Sequence, residues 1–209
     1  MTTTKLKLYN AALGLCGETS LSSLSEDREA RYALDEIWDN DALQACLEAG
    51  QWNFGIRSAQ LDYDPNITPN PVGGYQYAFA VPDDWVRWAG ICVDPHFETS
   101  LTRYQTDNGY LFADAQTIYI RYVSNDNLFG MDMSLWPKTY CRFVEAYLAL
   151  YYSMATNSSD QLQNKLQVWY ELKLNDAGAK DAQQEPEKPR QIGSWANSRR
   201  GSARYNREL

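Results

Sequence analysis

The chain has 209 residues, 44% of them hydrophobic, with 7 Trp and 15 Tyr, enough for one full core or a core carrying one insertion. Its formal charge of −8 disfavours tight non-specific binding of nucleic acid by the chain as a whole. No apolar run is long enough to cross a bilayer, so no membrane partner is expected, and the start, Met1-Thr-Thr-Thr-Lys5, lacks the apolar stretch of a signal peptide.

The first segment, Thr4 to Cys16, reads as a helix: Leu6, Tyr9, Leu13 and Cys16 repeat at helical spacing, Thr4 can cap the start and Gly17 can end it. After a serine-rich turn a second helix is predicted from about Glu26 to Ala49. Its first turn is acidic (Glu26, Asp27, Glu29), and Gly50 stands where a left-handed cap is expected. From Trp52 the period shortens. Ile56–Tyr63, Tyr75–Val81, Val86–Val93, Leu101–Tyr104, Tyr110–Ala113 and Thr117–Val123 read as strands, with a Pro/Gly/Asn loop at 64–74 and a hairpin signal at Asp107-Asn108-Gly109. In the last strand Ile118, Ile120 and Tyr122 point one way. These segments predict one small antiparallel sheet.

Helices return at Pro137, a residue suited to a first helical position. Phe143, Ala146, Tyr147, Leu150, Tyr151 and Met154 form an apolar stripe to about Ala155. Ser158 or Ser159 then caps a helix to about Ala179, with Leu162, Leu166, Trp169, Tyr170 and Leu174 expected inward. The predicted fold is α+β and mainly helical: a four-helix bundle (residues 1–54 and 132–184), an inserted β domain (55–131) and an extended C-terminal arm (185–209). Residues 188–209 carry six basic side chains against Glu208, a net of +5, which leaves −13 for residues 1–187. The arm is rich in Pro, Arg, Ser and Asn and holds too little apolar surface to order itself.

Little in the sequence points to chemistry, and no catalytic residue, cofactor or metal is expected. The cysteines at 16, 46, 92 and 141 form no Cys-x-x-Cys pair and there is one His, so they read as small buried apolar groups. His96 has no second His or nucleophile elbow beside it and reads as a loop residue. Asp83-Asp84 follows Pro82 and reads as a turn, since adjacent strand residues point apart. Gly73-Gly74 belongs to no phosphate-binding pattern. Trp85 and Trp88, three apart in a strand, are expected on opposite faces, one core and one interface. Trp52 and Phe54 are expected to pin the β insert to the helices.

The string Asn10-Ala-Ala-Leu-Gly-Leu-Cys-Gly-Glu18, then Leu21 and Leu24, an acidic helix and Gln51-Trp52-Asn53-Phe54 on leaving it, resembles the tail tubular protein A family, the head-to-tail adaptors of short-tailed bacteriophages. The step Val81-Pro82-Asp83-Asp84-Trp85 into a strand is similar too. The specific part covers roughly residues 6–60; the remainder matches in order of elements. The resemblance implies a non-enzymatic virion protein of the tail and neck, made in the host cytoplasm. It implies a homo-oligomeric ring, typically of twelve subunits, seated between the portal protein and the tail nozzle protein, with double-stranded DNA passing through the lumen unbound. It also implies that the C-terminal arm engages the portal or a neighbour; Arg190, Trp195, Arg199, Arg200, Arg204, Tyr205 and Arg207 are the candidate contacts. This chain departs from the family pattern in its longer, more basic end and its longer 64–74 loop. The alternative is an accessory tail-associated module that binds a glycan or a protein through exposed aromatics.

Overall fold

The structure, a computed structural model, describes residues 3–69 and 73–184. Five α-helices and six strands appear in the order α1 (Lys5–Cys16), α2 (Glu29–Ile37), α3 (Leu43–Glu48), β1 (Ile56–Asp62), β2 (Tyr77–Ala80), β3 (Trp85–Cys92), β4 (Tyr104–Asp107), β5 (Tyr110–Ala113), β6 (Thr117–Ser124), α4 (Lys138–Ala155) and α5 (Asp160–Ala182). Helix makes up 42% and strand 20%, and the strands form two three-stranded antiparallel sheets, so the expected four-helix bundle with one small sheet is incorrect.

Two local causes account for the difference. The predicted second helix is divided. It starts at Glu29, because Glu26 turns back to accept from the backbone N–H of Ser22 at 2.6 Å and from its hydroxyl at 2.8 Å. A π-helical turn over Trp38–Ala42, whose Asp and Asn residues favour a helix interior poorly, then separates α2 from α3. The strands divide because both sheets have an apolar side. Ile118, Ile120 and Tyr122 of β6, with Ile91 of β3, pack in one cluster with Phe79 of β2 and Leu111 and Ala113 of β5. Each sheet therefore covers the other, in the orders β1-β6-β3 and β2-β5-β4.

Several elements form as the residues dictate. The Thr4 hydroxyl accepts from the Lys7 N–H at 3.4 Å, and Gly17 closes α1 at φ +79°. Asn108 and Gly109 both have positive φ, the geometry of the tight hairpin turn joining β4 to β5. Pro137 sits one residue earlier than expected, as the extended residue before α4. Residues 101–103 lie before the strand, which begins at Tyr104. Gly50 does not take a left-handed cap; it is required for space, since a Cβ there would lie 2.8 Å from the Trp52 ring.

Trp52 belongs to the helical core at the point where the chain leaves α3 for β1. It is buried, its indole N–H donates to the Cys46 carbonyl at 2.9 Å, and its ring meets Tyr140 at 4.9 Å. Val86 and Val123, on the opposite side of the sheet from Ile120, complete the helical core. Within that core α4 is the central helix. Phe143 and Tyr147 face Tyr170 of α5, while the Ala149 carbonyl and the Cys141 thiol face Cys16 and Thr3 at the two ends of α1. Tyr9 of α1 in turn donates to the Leu34 carbonyl of α2 at 3.0 Å. The helical layer therefore runs from α5 through α4 to α1 and α2.

Candidate interaction surface

α5 is built to be covered on more than one side. Ser159 caps its start by accepting from the Leu162 N–H at 3.4 Å, and Asp160 in the first turn suits the positive helix end. Leu166 and Ala177 are buried, and Leu162, Tyr170 and Leu174 pack partly against the core. Trp169 was expected inward with them, yet it is 40% exposed: one step further round the helix than Tyr170, it clears α4. On the far side Gln161, Lys165, Val168, Leu172, Asn175 and Ala179 are all exposed, at alternating spacings of four and three. Val168 is 65% and Leu172 50% exposed at the centre of that seam. The 4-3 spacing is that of a helix seam meeting another helix, and among the described residues nothing covers it.

Beside the seam, a groove of about 390 Å³ runs between α1, α4 and α5, lined by Ala11, Leu15, Arg142, Glu145, Trp169 and Lys173. The Lys173 ammonium lies 4.2 Å from the centre of the Trp169 ring. Burial pushes the Glu145 carboxyl up, partly countered by the Arg142 guanidinium. A larger cleft, about 630 Å³, opens between the last turns of α5 and the 49–52 loop. There Asp181 accepts from the Asn53 N–H at 3.1 Å, and Arg87 donates to the Glu48 carbonyl, tying the end of α5 and β3 to the helix-to-sheet crossing.

The remaining polar clusters hold elements together. Asp84, read from sequence as a turn residue, accepts from Tyr122 at 3.0 Å, from Arg57 at 3.0 Å and from Ser124. Burial pushes its carboxyl up, but the bonds from Ser124, Arg57 and Tyr122 outweigh burial and hold it below the usual carboxylate range. Asp35 is arranged alike: burial is outweighed by Lys5 at 3.0 Å, Tyr9 at 2.9 Å and Arg31 at 2.6 Å, and its carboxyl too is held low. Asp94 accepts from the backbone N–H groups of His96, Glu98 and Thr99, which places His96 in a turn. Among the described residues no group of three or more His, Cys, Asp or Glu could hold a metal ion, and no helix is long and apolar enough to cross a membrane.

No protein-family model matches the chain, and no curated protein matches it.

Trp85 and Trp88 do not point to opposite faces. Register shifts between Trp85 and Arg87, and again between Trp88 and Gly90, rotate β3 so that the two rings meet at 5.2 Å. Both indole N–H groups are buried without a partner among the described residues. Of the sequence-derived contacts in the arm, Arg190, Trp195, Arg199, Arg200, Arg204, Tyr205 and Arg207 lie outside the described residues. The seam centred on Val168 and Leu172 was not anticipated. Its signal was present, as apolar residues falling opposite Leu166 and Tyr170, and was hidden by counting one face only.

Proposed function

We propose that this chain is a structural ring subunit of the head-to-tail adaptor type, joining a portal to a tail nozzle and forming part of a DNA conduit. The observation that carries the reading is the outer seam of α5, where Val168 and Leu172 stand exposed on a helix already packed on its other side. Two apolar side chains one turn apart on the exposed side of a helix are a contact point that a copy of the chain can cover. The resemblance over residues 6–60 supports the same reading, as does the order of α1, the long helical stretch, the Trp52–Phe54 crossing, strands and two further helices.

Charge supports it as well. A conduit that gripped DNA would slow its passage, since each phosphate neutralised adds affinity. The −13 carried by residues 1–187 repels phosphate, and the +5 of residues 188–209 suits an arm that docks on an acidic neighbour. A second reading, a binding module for a glycan or a protein, is favoured by exposed aromatics of the β part: Tyr63, after β1, meets Tyr77 of β2 at 5.0 Å, and Tyr104 of β4 is 40% exposed. Negative-stain electron microscopy of the concentrated protein separates the two. Closed annular particles with an open centre support the adaptor, and particles of single-chain size support the module.

A further inference from the structure

We infer that the seam of α5 in one copy meets the outer face of α2 in the next, a head-to-tail contact that closes the ring. The inference rests on the ring-subunit reading and names the surface that reading requires. A ring contact is heterologous, so the seam must be met by a different patch of the same chain. That patch has to lie across the helical layer from α5, and α2 is the helix there: α4 lies between them, and α2 packs through Ala30 and Leu34 toward the core.

The outer face of α2 has the matching form. Glu29, Tyr32 and Glu36 are all exposed at spacings of three and four, the same period as Lys165, Val168 and Leu172 on α5. Tyr32 is 52% exposed, its ring held flat under the Arg31 guanidinium at 3.9 Å and its hydroxyl donating to Asp27 at 2.9 Å. It is an ordered aromatic surface for Val168 and Leu172 to cover. The charges are complementary. The α2 face carries the Glu29 and Glu36 carboxylates beside the Arg31 guanidinium, the α5 seam carries Lys165, and among the described residues none of Lys165, Glu29 and Glu36 is in a salt bridge. Pairing α5 with α5 across a two-fold axis would instead face like seams and leave the α2 carboxylates unmet.

Cysteine cross-linking of the full chain tests this. A Val168→Cys chain and a Tyr32→Cys chain of different tagged mass are mixed, allowed to assemble and oxidised, with the unsubstituted chain as the control for its native thiols. The expected product is the mixed adduct, formed within a large assembly sized by light scattering. A Val168→Cys adduct with itself marks two-fold pairing and overturns the inference. A large assembly with neither adduct also overturns it, while leaving the ring reading in place; absence of any assembly ends both. Charge reversal is the second arm. Lys165→Glu should weaken assembly at least tenfold and Glu29→Lys with Glu36→Lys on the same chain should restore it; failure of that rescue counts against the contact.

Discussion

At the scale of single residues, the join of β1 and β6 to the turn before β3 depends on Asp84. Its partners Tyr122 and Ser124 are buried, so removing the carboxylate takes a charged acceptor from two hydroxyls, while the Arg57 guanidinium, 42% exposed, keeps its water. The sign of the pH effect follows from the shift. A carboxyl whose folded pKa is depressed contributes stability that is present above the unfolded value, near 4, and is lost as pH falls through the folded value. Asp84→Asn should lower stability at neutral pH by about 1–3 kcal/mol, since two buried hydroxyls lose a charged acceptor and the pair with Arg57 is screened by solvent. Its denaturation midpoint should also fall less steeply below about pH 4 than that of the unsubstituted chain. Urea titrations of both proteins from pH 7 to pH 3 measure this. Equal slopes in acid would mean that Asp84 is not the group whose protonation matters.

At the scale of elements, the connection from β6 to α4 is tightly fitted. Gly130 lies under β6, where an added Cβ would stand 2.1 Å from the Ser124 carbonyl and 3.1 Å from Leu47 of α3. Its own carbonyl accepts from the Trp136 indole at 2.9 Å, so the segment cannot shift without losing that bond. Gly130→Ala should cost about 3 kcal/mol or more, a large effect for one methyl group, read as a drop in melting temperature with the far-ultraviolet spectrum retained. How far the elements could be foreseen depends on where the deciding force lies. Thr4, Gly17, Asn108-Gly109 and Ser159 act on their own neighbours, and the starts and turns they mark were legible. The break at Trp38–Ala42 was not, because Ile37 before it and Ala45 after it carry the apolar side of one helix across the Asp and Asn residues; the packing of Trp38 on Tyr9 at 5.8 Å involves a residue nearly thirty positions away. The pairing of Trp85 with Trp88 was likewise hidden, since alternation assumes an unbroken strand and β3 has two register shifts. Division into two sheets depends on Phe79, Leu111 and Ile120 meeting across the sandwich, which alternation within each strand leaves undetermined.

At the scale of the whole molecule, the chain is polarised. A helical layer carries Val168 and Leu172 exposed on α5 and Glu29 and Glu36 exposed on α2, and the sheets attach through Val86, Val123 and the Arg87 bond to the Glu48 carbonyl. The seam is the part of the candidate site that the residues alone could have disclosed, because Val168 and Leu172 lie four apart; which of two apolar faces is left uncovered is decided by where α4 packs. The central claim is that this seam exists to be covered by another copy, and the molar mass of the concentrated chain by light scattering tests it most directly. The unsubstituted chain should run as a high multiple of 23.9 kDa, and Val168→Asp with Leu172→Asp should run as a single chain that keeps its far-ultraviolet spectrum. A single-chain mass for the unsubstituted protein, or an undiminished assembly of the double variant, would contradict the account.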